Sequence, residues 1–123
     1  MIGGTLAPMA SRTSSPLVHP DVDDFNLLTV LSALSDPIRV GIVVQLIDGP
    51  RTSCSGFYPH LTASVLTRHF RVLREAGIIH QQDAGIRREN TLRKDDLDKR
   101  FPGLIDLMVK EAADGRIPQL FCD

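Results

Sequence analysis

The chain has 123 residues, 42% of them apolar, with no Trp, one Tyr and a formal net charge of −1. This fits one small domain with an aliphatic core and excludes a uniformly basic binder of polyanions. Two cysteines, Cys54 and Cys122, are too few for a disulfide framework; no apolar run approaches the ~20 residues of a membrane span, and no cationic, apolar leader opens the chain, so a cytoplasmic location without a membrane partner is expected.

Residues 1–20, rich in Gly, Pro, Ser and Thr, read as a flexible N-terminal arm. Asp21 to Leu34 reads as a helix: Asp21, Asp23 and Asp24 suit its positive end, and Leu27, Leu28, Leu31 and Leu34 form an apolar stripe. Asp36-Pro37 then restarts the chain, Asp as N-cap and Pro at the first helical position. This second helix runs to about Ile47, with Ile38, Ile42, Val43, Leu46 and Ile47 inward, and Asp48-Gly49-Pro50 stops it. Residues 51–60, RTSCSGFYPH, carry the weakest pattern; Thr52 or Ser53 can cap a short helix whose length Gly56 and Pro59 limit.

Leu61 to Ile79, LTASVLTRHFRVLREAGII, is the most informative stretch. Thr62 suits the N-cap, and at about 100° per residue Leu66, Phe70 and Leu73 gather on one side, Ser64, Thr67, Arg68 and Arg71 on the other. The first set can bury; the second is short, polar and cationic, which suits a helix lying in a DNA groove. Ala76-Gly77 ends the helix. Ile78 to Gln82 then reads as a strand, Asp83-Ala84-Gly85 as a turn, and Ile86 to Arg93 as a return strand. On that strand Ile86, Arg88, Asn90 and Leu92 share one face, and Arg87, Glu89, Thr91 and Arg93 the other. Lys94-Asp95-Asp96 opens a short helix that Pro102 breaks, Gly103 to Ala113 forms the last helix, and residues 115–123 are a tail. The domain is therefore expected over residues 21–114.

Charge is unevenly placed. Residues 1–61 carry −2, residues 62–94 carry +4 and residues 95–123 carry −3. A basic middle between acidic flanks is an electrostatic footprint for a polyanion. The order helix, helix, short helix, basic helix, hairpin, helix describes a mainly α (α+β) winged helix-turn-helix with a two-stranded hairpin as its wing. In such folds the second helix of the pair enters the major groove and the hairpin reaches the backbone or minor groove.

The sequence resembles the ArsR/SmtB family of bacterial winged-helix repressors over about residues 27–110. The carriers are LSALSDPIRVGIVVQL, similar to the family's LADPTRLRIL segment, and LTASVLTRHFRVLREAGII, similar to LSxSTVSHHLKVLREAGLV. The ending LRKDDLDKRFPGLIDLMV looks like a subgroup with a DLDARFPGLL segment. The resemblance implies a homodimer that binds an imperfect inverted repeat in double-stranded operator DNA, represses transcription and lets go when a signal arrives. By position it puts Ser64, Val65, Thr67 and Arg68 in the groove-facing slots. It pairs the first and last helices across the dimer axis, making Leu27, Leu31, Leu34, Leu104, Leu107 and Met108 interface as well as core. The family's metal sensors carry Cys-x-Cys ahead of the recognition motif, where TSCSGF has Cys54 alone, or His-containing ligand sets on the last helix, where Asp106 and Glu111 stand without a His. No metal or cofactor is expected.

The candidate DNA-binding residues are Thr62, Ser64, Val65, Thr67, Arg68, Arg71, Arg87 and Arg88, with Asn90 a weaker wing candidate. Arg68, mid-helix, can bond a guanine edge with two N–H groups; Arg71, further along, suits a phosphate. Alternation sends Arg87 and Arg88 to opposite faces, so one of them faces the domain. His69 flanks the apolar side and reads as a packed residue. Cys54 is the candidate for thiol-based redox sensing, provided that neighbouring cations lower its pKa; a small-molecule effector is the other signal left open. Two function classes follow: a DNA-binding transcriptional repressor, or a winged-helix protein-interaction module without DNA binding. No nucleophile–base pair, phosphate loop or metal-ligand spacing points to an enzyme.

Overall fold

The computed structural model describes residues 17–52, 61–85 and 87–117. Cys54, Cys122, residues 1–16 of the N-terminal arm and the short helix expected within 51–60 lie largely or wholly outside them.

The expected first helix is split. Val22–Asp24 makes one 3-10 turn, Phe25 turns into the core, and helix α1 covers only Leu27–Ala33. Asn26 decides the start: its Oδ1 accepts the backbone N–H groups of Leu28 and Thr29 at 2.9 and 3.2 Å, whereas Asp21 makes no side-chain cap. The inward stripe also differs from the expected one. Val30 and Ala33 are buried, while Leu27, Leu28 and Leu31 are exposed, Leu28 to 74%. An open groove between α1 and the later helix Ala63–Glu75 is lined by Leu28, Thr29, Ser32, Ala33, Val72, Glu75 and Ala76.

Helix α2, Pro37–Ile47, starts as expected: Asp36 Oδ1 accepts from the N–H groups of Ile38 and Arg39 at 2.8 and 3.2 Å. Its Gly41, Ile42, Val43, Gln45 and Leu46 are buried, so α2 is the central helix. Strand β1, Arg51–Thr52, follows, then helix α3, Ala63–Glu75, strands β2, Ile79–Ala84, and β3, Arg87–Leu92, and helices α4, Lys94–Arg100, and α5, Leu104–Ala113.

The wing is a hairpin with a third strand at its root. The sheet order is β1-β3-β2, all antiparallel, with Arg51↔Asn90 and Thr52↔Glu89 on one side of β3 and the run from Ile79↔Leu92 to Ala84↔Arg87 on the other. Asp83 and Ala84, expected in the turn, are therefore paired strand residues, and Gly85, with φ +70°, takes the bend.

Helix α3 ends in a Schellman motif. The N–H of Gly77 bonds the carbonyl of Arg74, and that of Ile78 the carbonyl of Leu73, both at 3.0 Å. Gly77 has φ +87°, and a Cβ there would lie 2.3 Å from Phe25 Cε1. The residue is thus fixed twice, by backbone conformation and by the ring that packs on it. Ile42, Leu66, Leu73, Ile78, Ile79, Leu97 and Ile105 complete an aliphatic core shared by α2, α3, the sheet root, α4 and α5.

Candidate nucleic-acid interface

Helix α3 presents two chemically distinct faces. Leu66, Phe70 and Leu73 are buried; Ser64, Val65, Thr67, Arg68 and Arg71 are exposed. The helix can therefore lie against another molecule through its outer face without losing core contacts. Thr62 Oγ1 accepts the N–H of Val65 at 3.3 Å and lies 3.3 Å from Ser64 Oγ. Thr62 thus holds the helix start in shape, and its exposed position leaves the positive N-terminal end of the helix facing outward. Neither Arg68 nor Arg71 enters an ion pair among the described residues.

His69, between the two faces, is half-buried and tied to α2: Arg39 Nη1 lies 3.1 Å from its Nδ1, while Arg39 Nε donates to the Ala33 carbonyl at 2.7 Å. An arginine N–H can only donate, so Nδ1 accepts and the imidazole is neutral. Burial lowers its pKa, the cations Arg39 and Arg68 lower it further, and Asp36 opposes them. His69 is a strut between α2 and α3.

The wing arginines differ. Register puts Arg88 opposite Asp83 on the face that carries Asn90 and Leu92, toward the domain. Arg88 Nε donates to Asp83 Oδ1 at 3.2 Å, a partly exposed pair that is weak enough to exchange for another anion. Arg87 sits opposite Ala84 on the other face of the ladder; its side chain is outside the described set. Asn90 is no surface candidate: it is fully buried and its Oδ1 accepts from Gln81 Nε2. Alternation placed it on the face of Leu92, and that face is the inner one.

Of the apolar residues expected as both core and interface, Met108 is buried, and Leu34 and Leu104 are partly so. Leu27, Leu31 and Leu107 are not core; Leu107 is 55% exposed. Leu28, expected in the apolar stripe of the first helix, and Val109 are exposed as well.

Other groups escaped the sequence reading. His19 stacks on His80, ring centroids 4.2 Å apart, and its Nε2 accepts the Gln81 N–H at 2.9 Å. Arg93 donates to the Pro20 carbonyl at 2.8 Å and lies over the Phe25 ring. These contacts bridge more than 60 positions, so no local pattern announces them. Among the described residues no three His, Cys, Asp or Glu side chains converge as a metal site, and no single helix is long and apolar enough to cross a membrane.

The profile of the family described as "bacterial regulatory protein, arsR family" matches residues 36–81, which run from the α2 cap through α3 into β2. No curated protein matches the chain. Among solved structures, the fold is similar to an ArsR family transcriptional regulator, RHA00566, with 21% identity, TM-score 0.54, and coverage of 72% of this chain and 92% of that one. It is also similar to M. tuberculosis Rv0081, with 19% identity, TM-score 0.52, and coverage of 72% and 91%. Residues 36–81 thus match the arsR-family profile, and the chain shares its winged-helix fold with solved structures that include an ArsR family transcriptional regulator.

Proposed function

We propose that the protein is a homodimeric, sequence-specific DNA-binding repressor that acts in the cytoplasm, binds an imperfect inverted repeat and is released by a small-molecule or redox signal. The observation that carries this reading is α3 itself: one helix with a buried apolar face, an outer face of Ser64, Val65, Thr67, Arg68 and Arg71, and a hairpin directly behind it. Small hydroxyls let the backbone approach base edges, Val65 offers a methyl surface to thymine, and Arg68 offers the fork that matches guanine. Arg71, Arg87 and Arg88 supply phosphate contacts, and the Thr62 cap orients the helix end toward the backbone. The exposed Leu27, Leu28 and Leu31 on α1 and Leu107 and Val109 on α5 are what a self-complementary subunit contact would cover. Two copies of α3 would then read half-sites about one helical turn apart.

Fluorescence anisotropy with DNA from upstream of the protein's own gene tests the reading across a salt series. Specific binding that weakens steeply with salt is expected. No binding at any salt would refute it and favour the protein-interaction module.

A further inference from the structure

A polar chain, half-buried at Arg74 and buried at Gln81 and Asn90, joins the last turn of α3 to the root of the wing. Arg74 Nη1 donates to Gln81 Oε1 at 2.7 Å, and Gln81 Nε2 donates to Asn90 Oδ1 at 2.7 Å. Gln81 and Asn90 are direct cross-strand partners, 3% and 0% exposed, and Asn90 is also the residue that β1 pairs with through Arg51. One point thus ties α3 to all three strands.

The chain has a single sense. Arginine has only donors, so Gln81 must turn its oxygen to Arg74, and its amide NH2 must then go to Asn90, which accepts through Oδ1. The next pair on the same face, Ile79 and Leu92, is apolar. An apolar pair at 81 and 90 would bury equally well, and burying two amides and part of a guanidinium costs desolvation that their mutual bonds only offset. Arg74 Nε is even left buried without a partner among the described residues, and burial lowers the pKa of this arginine. What directional bonds supply beyond apolar packing is a fixed angle between the parts they join.

We infer that Arg74, Gln81 and Asn90 are positioning residues for DNA binding: Arg74, the third arginine of α3, touches no DNA but sets the wing relative to the recognition helix, so that Arg68, Arg71 and the wing tip meet the duplex together. The inference rests on the DNA-binding reading above. It separates Arg74 from Arg68 and Arg71, which are exposed and of the same residue type.

The test uses the full chain, its upstream DNA and three variants: Arg74→Lys, Gln81→Met and their combination. Lysine keeps the charge but not the planar fork; methionine keeps the length but neither hydrogen bond. Each single variant is expected to bind about tenfold more weakly, the effect of losing one charge-assisted hydrogen bond, with the parent's slope of log K against log salt. The combination is expected to be little worse than either alone. Near-parent binding by Arg74→Lys would overturn the inference, because a phosphate contact tolerates lysine. So would parent-like binding by Gln81→Met. Gln81→Glu, which keeps an acceptor for Arg74 and loses the donor to Asn90, replaces Gln81→Met if that variant unfolds; thermal unfolding of each protein separates loss of fold from loss of geometry. A parent protein that binds no DNA at any salt defeats the underlying reading, and the inference with it; a parent that binds while the variants match it defeats the inference alone.

Discussion

Gly77→Ala is expected to be among the most damaging single-atom additions in this protein. The new Cβ would lie 2.3, 2.7 and 2.8 Å from three atoms of the Phe25 ring, well inside contact distance. That ring has little room to yield: it is 4% exposed, and the Arg93 guanidinium lies 4.8 Å from its centre. Holding alanine at φ +87° costs about 1–2 kcal/mol. Displacing Phe25 forfeits about 1.5–3 kcal/mol of burial, and the cation–π contact adds about 0.5–1 kcal/mol. The total, roughly 3–6 kcal/mol, rivals the whole stability of a small domain. Gly85→Ala is the internal control, since φ is +70° there but nothing lies within 4 Å of the added carbon. It should cost only the backbone share, about 1–2 kcal/mol. Urea unfolding at one fixed protein concentration measures both, because self-association would make stability depend on concentration. Equal destabilisation by the two substitutions would refute the account of Phe25 as the obstacle. Partial rescue of Gly77→Ala by Phe25→Ala would support it.

Arg68→Ala should cost about 1–3 kcal/mol of operator affinity and relax preference at one base pair, whereas Arg71→Ala should weaken all sequences alike and lower the salt slope by about 0.9; anisotropy titrations on a set of single-base operator variants check both. Leu31→Glu should split the proposed homodimer in sedimentation velocity while leaving far-UV circular dichroism unchanged, since Leu31 is 45% exposed within one chain. Stability should fall as pH drops below about 6.5, the ordinary histidine value. The His19 pKa is lowered by burial, His80, Arg74 and Arg93, and Gln81 donates into its Nε2; the unfolded chain therefore takes up the proton first, so the contribution is complete above the unfolded pKa and is lost as pH falls toward the folded one. Thermal unfolding from pH 8 to 5 should show this loss reduced in His19→Gln, with His69, shifted in the same direction, supplying much of the remainder.

The parts of the fold that were legible in the sequence are those that local chemistry dictates. Asp36-Pro37 and Thr62 cap helices because a short oxygen beside a free N–H is a complete signal within four residues. Ala76-Gly77 closes α3 for the same local reason, and the α3 faces follow from period alone. Failures begin where burial is decided by partners. On α1 nearly every side is apolar, so period could not tell that Val30 and Ala33, rather than Leu27 and Leu31, face the core. Asn26 outranked Asp21 as a cap only because Phe25 had to turn inward. Gln81 and Asn90 read as surface residues by type, yet each satisfies the other inside. The pairing of Arg51 with Asn90, and of His19 with Gln81, depends on chain segments that meet only after folding.

The short strand β1 also bears on the order in which the molecule folds. Its pairing of Thr52 with Glu89 closes a loop of 36 residues that contains the whole of α3. Closing such a loop costs about 2.5 kcal/mol more chain entropy than closing a two-residue hairpin turn. Two strand residues return about that much through their ladder bonds. Formed ahead of the core, the clasp would therefore be nearly balanced, so it gains lasting stability only once α3 and the β2–β3 hairpin have packed and already fix most of the loop. Between α2 and α3, two residues of strand are thus held by the rest of the fold rather than holding it.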